Sequence, residues 1–239
     1  MDSFHSVKSG KISEQIAQQI KNTILSGSMK PGDRLPPERD LVLRFQASRI
    51  SVREALKRLE ASGLLRIKPG SGVFIAEVNS KRMSESLSSI LRIQKASIND
   101  LTEARIILEP NIARLASERI TPEDLLKLEQ NIEETSTLVQ SDSPAPALNI
   151  EFHCLIAEFT HNPVITLSMK TLFDVLTEMT LEITENLPKR IETSSQAVLC
   201  HRKILKALRE KESQNACELM RKHILQIQEG LKKAKSKTQ

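Results

Sequence analysis

Leu35-Pro36-Pro37-Glu38-Arg39-Asp40 and, a few residues on, Ser48-Arg49-Ile50-Ser51-Val52-Arg53-Glu54-Ala55-Leu56 decide the fold of the N-terminal third. The two prolines suit the start of a helix, where a missing N–H costs nothing. Leu41, Val42 and Phe45 give that helix a buried face, and Gln46-Ala47 reads as the turn after it. Ser48 is placed to cap the next helix, with Ser51 standing where a capping box would have glutamate. Val52, Ala55, Leu56 and Leu59 recur at helical spacing and face inward, and Gly63 ends the helix. Arg49, Ser51 and Arg53 are therefore expected on the outer side of its first turn, where backbone N–H groups also favour phosphate. A helix-turn-helix offers cations and hydroxyls to a DNA major groove in this way.

The flanking residues extend the same module. Ile12, Ile16, Ile20 and Ile24, widened by Ala17 and Leu25, predict an amphipathic helix stopped by Gly27, and Lys30-Pro31-Gly32-Asp33 is turn chemistry. Leu64-Leu65-Arg66-Ile67 and Val73-Phe74-Ile75 enclose Lys68-Pro69-Gly70-Ser71-Gly72, which reads as a β-hairpin with a glycine-bearing basic tip, the wing of a winged helix. Such a tip can approach a sugar-phosphate backbone closely.

Charge points the same way. Residues 1–76 hold 13 Lys and Arg against 7 Asp and Glu, whereas the remaining residues hold 22 against 23. The whole basic excess lies in the N-terminal third, as expected when one domain meets phosphate and the other does not. With 239 residues the chain has room for two cores, and without Trp or Tyr those cores are aliphatic, which favours helix packing. Three cysteines (Cys154, Cys200, Cys217) in no metal-binding spacing, and no apolar leader, suggest reduced thiols in a cytoplasm. No run approaches the ~20 apolar residues of a membrane span.

Beyond a polar linker at 77–83, the C-terminal part shows helical stripes and no convincing strand. They run through Leu101, Ala104, Ile107 and Leu108; Leu125, Leu128 and Ile132, opened by Thr121-Pro122-Glu123; and Phe152, Leu155, Ile156 and Phe159. Further stripes span Ile165–Leu187, Val198–Leu208 and Ala216–Leu231, and Ser141–Pro146 is a loop. The expectation is an antiparallel all-α bundle of six or seven helices over 84–239, behind a winged helix-turn-helix over 8–76. His201 and His223 lie equally far from a turn near Glu212, so an antiparallel hairpin brings their rings to one height. Asn149 and His153, four apart, share a helix face. Three imidazoles converging in a bundle suit a Zn²⁺-type site, although helical histidines are also often simply packed.

These motifs resemble a known family. Pro31–Arg39, Ser48-Arg49, Val52–Leu56 and Gly70-Ser71-Gly72 resemble the DNA-binding module of the GntR family of bacterial transcription regulators. Leu101–Arg105 with Leu108-Glu109-Pro110, Phe152-His153, His161-Asn162-Pro163, His201–Leu205 and His223-Ile224 resemble the FCD ligand-binding domain of its FadR subfamily. The resemblance implies DNA contacts by Arg39, Arg49 and Arg53, by Ser48 and Ser51, and by Gly70 in the wing. It also implies a divalent metal held by His153, His201 and His223, with Asn149 in the place of the family's aspartate; imidazole ligands suit zinc or nickel. A small carboxylate effector would bind beside it, with Arg105 as its partner; a structural ion pair between Arg105 and Glu109 is the alternative.

The expected protein is a ligand-responsive regulator that binds a two-fold double-stranded DNA operator as a homodimer, and not an enzyme. A metal-dependent hydrolase using the three histidines is the alternative, weakened by the lack of a motif-placed general base. A non-specific architectural DNA-binding protein is a third, opposed by the near-neutral C-terminal two-thirds.

Overall fold

The computed structural model describes residues 10–77, 80–141, 143, 145–183 and 195–235. The chain divides into two compact units, Met1–Arg82 and Met83–Gln239.

The first unit contains α1 (Gly10–Leu25), α2 (Glu38–Phe45), α3 (Arg49–Ala61) and an antiparallel hairpin of β1 (Leu65–Lys68) and β2 (Gly72–Ile75). Its core joins Ile16, Ala17 and Ile20 of α1 to Leu41, Val52, Ala55, Leu56, Leu59, Leu65 and Ile75. Burying each large aliphatic side chain contributes about 1.5–3 kcal/mol. The α1 stripe is narrower than expected, because Ile12 and Leu25 are exposed. Pro36 and Pro37 precede α2 instead of opening it from within; Pro37 is its N-cap residue and makes no side-chain cap. Gln46 closes α2 in the left-handed region, φ 48°.

One feature was not visible in the sequence. The segment after the Lys30–Asp33 turn pairs with the wing: Leu35 N–H donates to Val73 O at 2.8 Å, and Ile75 N–H to Asp33 O at 2.8 Å. Gly72, at φ +117°, allows the close approach, because a Cβ there would stand 2.7 Å from Arg34 Nε.

Seven helices follow among the described residues, α4 (Ser80–Ile93), which starts just before the second unit, and within it α5 (Ile98–Arg119), α6 (Pro122–Gln140), α7 (Pro146–Glu158), α8 (Pro163–Ile183), α9 (Ser195–Arg209) and α10 (Ser213–Lys235). The start of α4 falls within the stretch expected as linker; Val78 and Asn79 lie outside the described residues. The same holds for Asp142 and Pro144 of the expected loop, for the expected α8 stripe beyond Ile183, and for residues 8–9 and 236–239 of the two expected domains. Helix starts follow the local chemistry, with capping boxes at Ser97/Asp100 for α5 and Thr121/Asp124 for α6. Asn162 Oδ1 accepts from Val164 N–H at the start of α8.

The central helix is α5, which packs against α7, α8, α9 and α10. Its inner face differs from the predicted stripe. Ile107 and Leu108 are exposed, while Leu101, Thr102, Arg105, Glu109, Pro110, Ala113 and Ala116 are buried. Two charged side chains take the place where the apolar reading put isoleucine and leucine.

Candidate nucleic-acid interface and candidate metal centre

The first turn of α3 is built by its cap. Ser48 Oγ accepts from Ser51 N–H at 3.1 Å and lies 3.0 Å from Ser51 Oγ. Ser51 is therefore not on the outer side as expected; it is 5% exposed, and its hydroxyl faces the capping serine. Arg49 and Arg53, one turn apart, do project outward, with side chains 66% and 62% exposed. Glu38, the first residue of α2, had no assigned role, yet it joins both. Arg53 Nε lies 2.9 Å from each Glu38 oxygen, and Arg49 Nε 3.6 Å from Oε1. Exposed ion pairs of this kind contribute about 0–1 kcal/mol, so phosphate can displace Glu38 at little cost.

Arg39 is the most exposed of the three arginines, with Asp40 at 3.5 Å. Gly70 sits at the tip of the wing at φ +74°, with open space where a side chain would be. Lys68, at the tip end of β1, lies over the Phe74 ring at 5.0 Å. The unit thus presents two arginines on the capped helix, a third at the start of α2 and an open, basic wing.

In the second unit the three histidines come together; the hairpin argument had paired His201 with His223, and His153 joins them from α7. His153 on α7, His201 on α9 and His223 on α10 are all buried, and their ligand atoms lie within 4.8 Å of one another. His201 Nε2 and His223 Nε2 are 3.2 Å apart; His223 Nε2 and His153 Nε2 are 3.4 Å apart. Zinc–nitrogen bonds of 2.0–2.1 Å in a tetrahedron place ligand nitrogens about 3.3 Å apart, and these two spacings match that value. Lone pairs aimed at one point repel unless a proton or cation stands between them. Burial, then mutual repulsion, pushes the His201 imidazole well below its usual range, and burial with the neighbouring His153 ring and the Arg105 cation brings His223 down to about 3. Neutral imidazoles are the form that binds metal.

Asn149, one turn before His153, is also buried, and among the described residues its Oδ1 has no hydrogen-bond partner. An orphaned amide oxygen beside an imidazole cluster is a candidate oxygen ligand. Phe152 stacks on the His201 ring at 3.6 Å between centroids. His161 is elsewhere engaged, with Nε2 3.0 Å from Asp124.

Arg105 makes the ion pair that was the alternative to an effector contact. Its Nε donates to Glu109 Oε1 at 2.6 Å, with both side chains almost wholly buried. Glu109 reaches further than the sequence suggested, because its Oε2 lies 2.5 Å from His153 Nδ1. Burial alone would raise the Glu109 carboxyl, but Arg105 and His153 together hold it down at about 2. The helical spacing of Arg105 and Glu109 signalled the first contact; nothing local signals the second, which spans 44 residues.

Comparison with known proteins matches both units of the chain. Residues 12–75 match the profile of bacterial regulatory proteins, gntR family, and residues 100–226 match the FCD domain. The HTH-type transcriptional regulator LutR of Bacillus subtilis is 32% identical over 155 residues, covering 65% of this chain and 71% of that protein. The Uxu operon transcriptional regulator of Escherichia coli is 28% identical over 229 residues, covering 91% and 86%. Among solved structures, Streptococcus agalactiae GntR has a TM-score of 0.73 at 28% identity, covering 90% of this chain and 98% of that one. These relatives are regulators of transcription and not enzymes, which removes the hydrolase alternative. The winged module and the helical domain that follows it in sequence make this chain a DNA-binding transcription regulator, a member of the gntR family of bacterial regulatory proteins with an FCD domain.

Proposed function

We propose that this regulator works in the cytoplasm as a homodimer on a two-fold operator, and that a small carboxylate controls it through a divalent metal, zinc or nickel. In this reading residues 8–76 form the DNA-binding domain, 77–83 the linker and 84–239 the sensing domain. Arg39, Arg49 and Arg53 meet phosphates and base edges, Ser48 meets phosphate, and Gly70 lets the wing approach the backbone. Ser51, turned inward, supports the cap that fixes the arginines and does not reach the duplex itself.

His153, His201 and His223 hold the metal in this proposal, with Asn149 as the oxygen ligand. When bound, the cation supplies positive charge for an acid's carboxylate. Arg105, paired with the carboxylate that touches His153, adds a second positive charge near the histidines, and its effector role is proposed on that basis. The observation that carries the sensing proposal is the convergence of three buried Nε2 atoms at spacings of 3.2 and 3.4 Å.

The test is fluorescence anisotropy on DNA from the neighbouring promoter, with the protein metal-free or loaded with Zn²⁺, across a panel of small carboxylates. Site-specific binding that shifts only when metal and one acid are both present is the expected result. Operator affinity that ignores metal and every acid, together with no metal bound per chain, would sink the sensing proposal and leave the DNA-binding assignment standing.

A further inference from the structure

We propose that Glu109, steadied by Arg105, is the positioning residue of the metal centre: it fixes the tautomer of His153 so that a lone pair on Nε2, and not an N–H, faces His201 and His223. The inference rests on the metal reading above and deepens it.

A neutral imidazole carries one proton, and the partner of one nitrogen decides which nitrogen holds it. An ionised carboxylate only accepts, so with Glu109 Oε2 2.5 Å from His153 Nδ1, the proton belongs on Nδ1. The other carboxylate oxygen is taken by Arg105 Nε at 2.6 Å, which stops the group from turning away. The Arg105 guanidinium lies 4.9 Å from the centre of the Phe173 ring, and that ring packs against His153 with centroids 5.5 Å apart. The bracket is therefore held on two sides.

Its place in the fold suits the task. Arg105 and Glu109 lie on α5, and α5 packs against all three helices that bear the histidines. His201 is oriented differently, by Phe152 stacked on its ring. The amide of Asn149 is neutral, so Glu109 is the carboxylate that touches this ligand set. A carboxylate behind a ligating histidine raises the basicity of the ring as well as orienting it. A merely structural ion pair between Arg105 and Glu109 would not govern which nitrogen of His153 is protonated.

The experiment uses the full chain labelled with ¹⁵N in its histidine rings. Long-range ¹H–¹⁵N spectra of the metal-free protein read the tautomers, with His153→Gln assigning the His153 signals. Zn²⁺ affinity is measured by competition with a chromophoric chelator. The variants are Arg105→Leu with Glu109→Leu, and Arg105→Leu with Glu109→Gln; both avoid leaving a lone buried charge. His153 of the wild type is expected as the Nδ1–H form. The double-leucine variant should mix tautomers and bind Zn²⁺ about 10–100-fold more weakly, and the glutamine variant, which restores an acceptor oxygen, should recover both.

An Nε2–H form of His153 in the wild type would overturn the proposal, as would a double-leucine variant with undiminished Zn²⁺ affinity. If neither variant folds, the wild-type spectrum decides alone. If the wild type takes up no Zn²⁺, the metal reading fails, and the spectrum still shows whether Glu109 sets the tautomer.

Discussion

The two units of this chain handle arginine in opposite ways. In the first, Arg39, Arg49 and Arg53 stand mostly in solvent, and Glu38 holds two of them by pairs that water and salt weaken. In the second, Arg105 is 1% exposed and locked to a carboxylate that is itself locked to an imidazole. An exposed arginine is available to an incoming phosphate and contributes little to folding. A buried one has been taken out of water at a cost that only its partners offset, so its removal is felt by the whole bundle. One residue type thus serves contact in one unit and construction in the other.

The sharpest way to break this comparison is to delete single partners. Arg105→Leu leaves Glu109 buried without its cation and is expected to cost about 3–5 kcal/mol of stability, read as a fall in the urea midpoint. A loss below about 1 kcal/mol would mean that the pair is no firmer than the exposed ones.

Arg53→Ala should give the reverse pattern. Stability should stay within about 0.5 kcal/mol, as usual for a surface substitution. Operator affinity should fall by about 1–3 kcal/mol, or by roughly one unit of salt slope if Arg53 contacts only phosphate. Anisotropy over a salt series separates these outcomes, and unchanged affinity would remove Arg53 from the interface.

Ser48→Ala gives the smallest effect and sharpens the account of the cap. Losing the bond to Ser51 N–H should cost about 1 kcal/mol, measured by thermal unfolding. It should also weaken operator binding, because Arg49 and Arg53 ride on the first turn that the cap fixes.

Most of the first unit was legible, because its signals are local. The Ser48 cap, the turn at Gln46 and the glycines of the wing each act within a few residues. Ser51 was misplaced because a residue at the third position of a helix can serve its cap or face outward, and the sequence spacing suits either. The convergence of His201 and His223 was legible because the turn between them sets the register. The burial on α5 was not. Apolar residues surround that helix, so Ile107 and Leu108 competed with Leu101 and Ala113 for the inner face. The outcome was set by Glu109 meeting a histidine from another helix, which no periodicity records.

Gly72 and the backbone bonds around it carry a mechanical consequence. The strand entering from Asp33–Leu35 is stitched to β2, and Arg34 fills the space that any larger residue at position 72 would need. The hairpin is thereby fastened to the segment that leads into α2, so tip and arginines keep a fixed offset. Such a head behaves as a stencil rather than a pair of independent fingers: a duplex whose grooves do not match that offset must itself deform, and its stiffness becomes part of the selectivity.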